Sequence, residues 1–170
     1  ADIYQEMGEI RLLIYNVRGR FDSCMPLDMT YEALEKTYHE EVVGAFAAAK
    51  AVLPNMIEKR QGSIFFSSAT AALRGSARFP LYAIGKFGLR ALSQSLAKAY
   101  AVDGIHIAHF RLDCNLDVPV MKELFGSGYD PKNFADPDDV AETYWLTFQQ
   151  PKSAWSNEVE IRPYTEEWTY

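Results

Sequence analysis

Tyr82 and Lys86 stand four residues apart near the start of "FPLYAIGKFGLRALSQSLAKAY", residues 79–100. On a helix that spacing lays both groups along one face, a turn apart. A free phenol ionises at about pH 10 and a neighbouring cation favours the phenolate, so the pair has the makings of an acid–base device. Gly85, between them, is expected to keep the shared face open. A tyrosine with its hydroxyl in solvent, beside a lysine whose stem lies along apolar surface, would read the same way. The surrounding elements decide between the two.

Those elements alternate in type. "IRLLIYNV" (10–17) is apolar on both faces, as a strand inside a parallel sheet must be. Residues 30–60 read as a helix: Thr30 can cap it, Glu32 suits the positive end of its dipole, and Lys59 and Arg60 suit the negative end. Pro54 is expected to bend or break its last turns. "GSIFFSS" (62–68) is a second buried strand, the Tyr–Lys helix follows after a loop, and "GIHIAHFRLD" (104–113) is a third strand. Asp136 and Pro137 open a further helix over 135–150, and the alternating "NEVEIRPY" (157–164) reads as an edge strand. The order predicts a single α/β domain over 1–170, a doubly wound parallel sheet in three layers.

Composition narrows the function. Of 170 residues, 48% are hydrophobic, and the net charge of −6 comes with scattered basic residues rather than a stripe, which argues against a nucleic-acid surface. Cys24 and Cys114 lack C-x-x-C spacing, and His106 and His109 fall on opposite faces of their strand, so no metal site is expected. No apolar run is long enough to span a bilayer, and two isolated cysteines fit a reduced compartment, so a cytoplasmic protein without membrane contact is expected.

The stretch "GSIFFSSATAALRGSARFPLYAIGKFGLRALSQSLAKAY" resembles the short-chain dehydrogenase/reductase family, in which a strand ending in serine, a small-residue loop and a Y-x-x-x-K helix build the active site. "LLIYN" is similar to that family's fourth strand and its N-A-G turn, and "GIHIAHFRLD" to its sixth strand. The resemblance runs colinearly over nearly the whole chain and implies a Rossmann-like fold with an NAD or NADP cofactor. It implies Tyr82 as proton donor or acceptor toward the substrate oxygen, with Lys86 lowering its pKa and bonding the nicotinamide ribose. Ser68 would hydrogen-bond the substrate carbonyl, with Ser67 as fallback. Asn16, Tyr82 and Lys86 are the implied cofactor contacts.

The resemblance also has gaps. The family's serine spacing falls on Ala69, so Ser68 serves only if the loop carries one extra residue. Glu41 takes the place of a helix-borne asparagine that helps hold a relay water; it could bond water or be an ordinary solvated acid. Val17 and Arg18 replace Ala-Gly after Asn16, Asp113 and Cys114 replace Pro-Gly, and Val118 replaces a threonine that meets the cofactor amide. Arg18 could crowd the cofactor or reach for a phosphate. No T-G-x-x-x-G-x-G turn occurs, and "ADIYQEMGEIRLLIYN" matches the end of the third helix, so 1–170 is expected to be a partial Rossmann-like domain preceded by an N-terminal part with the first strands and that turn, a naturally truncated chain being the alternative.

The expected activity is nicotinamide-dependent interconversion of a carbonyl and a secondary alcohol. The alternative is a catalytically impaired nucleotide-binding or structural relative. Residues 115–134 are expected to form a mobile substrate loop, with Leu124, Phe125, Tyr129 and Phe134 as apolar walls. A homodimer or homotetramer packed through the two long helices is expected. Trp155, Tyr164 and Trp168 are read as structural packing, or as contacts to a neighbouring subunit or the site.

Overall fold

In the computed structural model, residues 2–166 are described. A short helix α1 (Asp2–Met7) leads into β1 (Leu12–Tyr15). A long helical arm follows, α2 (Tyr31–Tyr38), a π-helical turn (His39–Val43) and α3 (Gly44–Lys59). Next come β2 (Gly62–Ala69), α4 (Pro80–Tyr100) and β3 (Ile105–Leu112). The chain then makes β4 (Asn115–Leu116), α5 (Pro119–Phe125) and β5 (Phe134–Ala135), and closes with α6 (Pro137–Phe148) and β6 (Glu158–Ile161).

The main sheet has the order β1-β2-β3-β6, parallel throughout. Side chains alternate across it, so each central strand feeds two cores. Ile64, Phe66, Ile105 and Ile107 pack against Ala45, Ala49, Val52 and Met56 of α3 and Leu89 of α4. Phe65, Ala108 and Phe110 face the other way, against Val140 and Tyr144 of α6. These are the expected three layers, and each large side chain fully withdrawn from water contributes about 1.5–3 kcal/mol. β1 is four residues long, shorter than the apolar run implied. Among the described residues it is an edge strand, with Ile14 exposed on it.

Local signals explain most of the boundaries. The Thr30 side chain accepts from the Ala33 N–H at 3.1 Å, and Asp136 accepts from the Asp138 N–H at 2.8 Å with Pro137 at the first helical position. Pro54 does not break its helix: α3 runs on to Lys59. Pro54 and Lys50 are both exposed, so water can satisfy the carbonyl that a proline nitrogen leaves unbonded. The segment expected to be one loop, 115–134, instead contains a helix between two strands that pair with each other.

β3 and β6 carry three successive cross-strand polar pairs on one face. His109 Nδ1 meets Glu158 Oε2 at 2.9 Å, Arg111 pairs with Glu160, and just beyond the strand ends Asp113 pairs with Arg162.

Candidate functional site

The alternation of β2 separates the two candidate serines. Ser68 has the parity of Ile64 and Phe66 and so faces the α4 side; its hydroxyl is buried with no hydrogen-bond partner among the described residues. Ser67 has the parity of Phe65, and its hydroxyl lies 2.8 Å from that of Tyr144 on α6. Ser68 is therefore the serine on the Tyr82 side, and the fallback is engaged elsewhere.

Pro80 opens α4, which sets Tyr82 in its first turn and Lys86 one turn later. Phe21, from the loop after β1, stacks on Phe79 at 4.6 Å and meets the Tyr82 ring edge-on at 4.9 Å. Tyr82, Lys86 and Ser68 all line one cleft of about 900 Å³, at the carboxyl ends of β1, β2 and β3. Asn16, Arg18, Asp113 and Cys114 line it as well, and the Arg18 guanidinium sits 5.5 Å from the Phe21 ring centroid. The Tyr82 hydroxyl has no hydrogen-bond partner among the described residues and is free to meet a ligand.

Lys86 is 2% exposed and Glu41 is 0% exposed. The Lys86 ammonium lies 2.8 Å from Glu41 Oε2 and 3.4 Å from the carbonyls of both Val17 and Ser67. Its nitrogen is 5.5 Å from the Tyr82 ring centroid. Glu41 Oε1 accepts from the Gly19 N–H at 2.8 Å. The solvated-acid reading of Glu41 is thus overturned: its side chain is wholly buried, on the same inward face as Thr37 and Ala45. The reading of Gly85 changes as well. A Cβ there would lie 2.8 Å from Glu41 Cγ and 3.2 Å from Thr37 Cγ2, so the glycine makes room for Glu41 rather than clearing the Tyr–Lys face.

The electrostatics follow from this geometry. Burial, then the Glu41 carboxylate, push the Tyr82 phenol up to about 12, against a lowering influence from Arg18. The Lys86 ammonium, expected to act on this phenol, stands against a buried counter-ion of its own. Burial also pulls Lys86 below its ordinary value, with Glu41 opposing. The Cys114 thiol is raised to about 11, by burial first and Asp113 second, and is no thiolate nucleophile.

The cleft walls differ from those expected. Phe125 and Tyr129 pack on Phe134 at 5.1 and 4.9 Å, Leu124 is exposed, and none of the four lines the cleft. Its apolar walls are Phe21, Phe79, Leu116, Val118, Val120 and Met121. Phe21 and Phe79 went unnoticed in sequence because they lie in irregular segments, where no periodicity marks an inward face. Val118, standing for a threonine, does line the cleft, as does Ala69.

His106 stacks on Trp155 at 4.8 Å, an internal contact that fits the structural reading of that tryptophan. Tyr164 is exposed, and Trp168 lies outside the described residues. Among the described residues no three potential metal ligands cluster, and no helix is long and apolar enough to cross a membrane.

A parallel sheet between helical layers, with a Tyr–Lys helix over its carboxyl ends, defines a doubly wound α/β protein of the Rossmann type. Comparison narrows the class. Residues 1–114 match the short chain dehydrogenase model, and the chain belongs to that family. A crystal structure of a short-chain dehydrogenase from Rhodopseudomonas palustris is 35% identical with a TM-score of 0.73; the match covers 91% of this chain and 62% of that one. An uncharacterised oxidoreductase of Staphylococcus aureus (strain N315) is 22% identical over 94% of this chain and 67% of its own length. An alcohol dehydrogenase from the archaeon Thermococcus sibiricus, complexed with 5-hydroxy-NADP, shares the fold at a TM-score of 0.81 and 16% identity, over 99% of this chain and 69% of that one.

Proposed function

We propose that this chain carries the proton-transfer half of a nicotinamide-dependent oxidoreductase that interconverts a small-molecule carbonyl and a secondary alcohol. The observation carrying this reading is the meeting of three groups in one cleft: the free Tyr82 hydroxyl, the unpartnered Ser68 hydroxyl and the buried Lys86 ammonium. In the reductive direction Tyr82 gives its proton to the carbonyl oxygen, and Ser68 donates a hydrogen bond to the same oxygen. A buried serine hydroxyl without a partner is costly in a folded chain, and a ligand oxygen would satisfy it.

The residues present fit a nicotinamide nucleotide: Asn16, Tyr82 and Lys86 border one cleft and would face its ribose side. The cofactor would supply the hydride. NADP is favoured by the cofactor analogue in the Thermococcus sibiricus structure, with NAD as the other arm of the test. The test compares the protein with its Tyr82→Phe variant on a panel of aldehydes and ketones, following consumption of NADPH and NADH. Turnover that survives equally in the variant removes the reading.

One observation favours a second reading, a relative that binds nucleotide without turnover. The Glu41 carboxylate occupies the Lys86 ammonium that the family's chemistry uses on the tyrosine. Tight binding of NADPH with no oxidation across the panel would select it. Under either reading we expect self-association through the outer faces of the long helices, where Tyr38, Val43, Phe46, Ile84 and Phe87 are exposed. A monomer in light scattering at micromolar concentration would exclude it.

A further inference from the structure

We infer that Glu41 is a positioning residue: clamped on the Gly19 N–H, it takes the Lys86 ammonium as its own counter-ion and withholds that charge from Tyr82, so that the phenol stands protonated, the form that carbonyl reduction uses. This rests on the oxidoreductase reading above.

Several independent features converge on Glu41. It is fully buried within the π-helical residues His39–Val43, a charged group on the inward face that Thr37 and Ala45 share. Both carboxylate oxygens are used, one on Lys86 and one on the backbone of the loop after β1. Two glycines make the path: a Cβ on Gly85 would collide with Glu41 Cγ, and one on Gly19 would stand 3.3 Å from that atom and from Oε1. The remaining neighbours of the ammonium are the Val17 and Ser67 carbonyls, so its protons have acceptors in the protein without turning to Tyr82. A buried ammonium without an anion would be driven neutral, and the pair is what lets both groups stay charged away from water.

The other charged or titratable groups around the phenol come from every side of the cleft. Arg18 belongs to the loop after β1, Arg74 to the loop after β2, Asp113 and Cys114 to the end of β3, and Glu166 follows β6. Asp113 is already paired with Arg162, and the Cys114 thiol is neutral. Burial first and Glu41 second raise the phenol, and Arg18 opposes them.

The step balances in atoms and electrons. Tyr82 would lose its proton to the carbonyl oxygen as a hydride from the reduced nicotinamide reached the carbonyl carbon. One O–H and one C–H bond form, the nicotinamide is oxidised, and the tyrosinate recovers a proton from solvent. Alcohol oxidation runs through the same atoms in reverse and uses the phenolate as base, so holding the phenol protonated moves that direction to higher pH.

The test uses the whole chain labelled with carbon-13 at tyrosine Cζ, with no cofactor or substrate, and Tyr82→Phe to assign the resonance. Tyr82 should titrate above an ordinary phenol, and Glu41→Gln should lower its midpoint by about one pH unit or more, the scale of one close charge. An unchanged midpoint in Glu41→Gln overturns the inference. If that variant does not fold, Glu41→Gln with Lys86→Met leaves no unpaired buried charge. A midpoint that holds or falls there agrees with cancellation by Glu41, and a rise shows that Lys86 was holding the phenol down and overturns it. Because the readout needs no turnover, failure of the wild-type protein to reduce any carbonyl would count against the oxidoreductase reading alone.

Discussion

The hydroxyls of Ser67 and Tyr144 lie 2.8 Å apart across the interface of β2 and α6, on the face of the sheet opposite Ser68. Adjacent serines therefore have unlike surroundings, one hydroxyl engaged by Tyr144 and one buried without a partner among the described residues. Ser67→Ala should cost about 1–2 kcal/mol in urea unfolding, because it strands the buried Tyr144 hydroxyl. Ser68→Ala should leave the unfolding midpoint nearly unchanged and lower kcat/KM about 10²-fold, the loss usual for one donor to a developing oxyanion. The reverse pattern would mean that the serines have been assigned to the wrong faces.

Tyr82→Phe keeps the ring contact with Phe21 and removes only the hydroxyl. Carbonyl reduction should fall by about 10²–10⁴-fold with KM little changed, as expected when a positioned acid is lost. Steady-state kinetics over the same carbonyl panel decides it.

Gly85→Ala offers a check on the Glu41 path. Helix propensity alone would reward alanine by about 1 kcal/mol. The new methyl would lie 2.8 Å from Glu41 Cγ, so a net destabilisation of about 1–3 kcal/mol is expected instead. Thermal unfolding should show a lowered Tm, and although Glu41→Ala is itself destabilising because it strands the Lys86 ammonium, Gly85→Ala should cost less in that background than in the wild-type chain.

The two strand histidines set an acid limit on stability. Burial lowers both His106 and His109 below the ordinary histidine value. The unfolded chain thus binds protons before the native one does, and stability should decline as the pH drops through about 6.5, the unfolded value. Glu158 works in a lower window: its pKa is lowered on balance, by Arg90 and Gln94 chiefly, despite burial, so its contribution is lost only on further acidification below its ordinary range. Urea unfolding measured stepwise from neutral to mildly acid pH should show the first decline, and His106→Phe should shrink it.

Much of this was legible in the sequence where the cause is local. Thr30 and Asp136 announce helix starts by side-chain chemistry, and "SIFF" and "IHIAHF" announce buried strands by composition. The Tyr82–Lys86 spacing could be read as one helix face. What was not legible depends on contacts distant in sequence. A glutamate in a helix is ordinarily solvated, and what lets Glu41 lie inside is space beside Gly85 and a counter-ion in Lys86, both remote in the chain. α5 is seven residues long, too short for periodicity to separate it from the loop around it. Phe125 and Phe134 look like walls by type, but they satisfy each other and leave the cleft to Phe21 and Phe79.

The rungs between β3 and β6 act as a vernier for the closing strand. Displacing β6 by two residues one way would face Asp113 with Glu160; the other way would face Arg111 with Arg162. Either slip keeps the apolar side chains on their proper face, so hydrophobicity alone would tolerate it. Repulsion between matched charges is what singles out the native alignment, and that alignment fixes where the segment ending at Glu166 comes to rest beside the cleft.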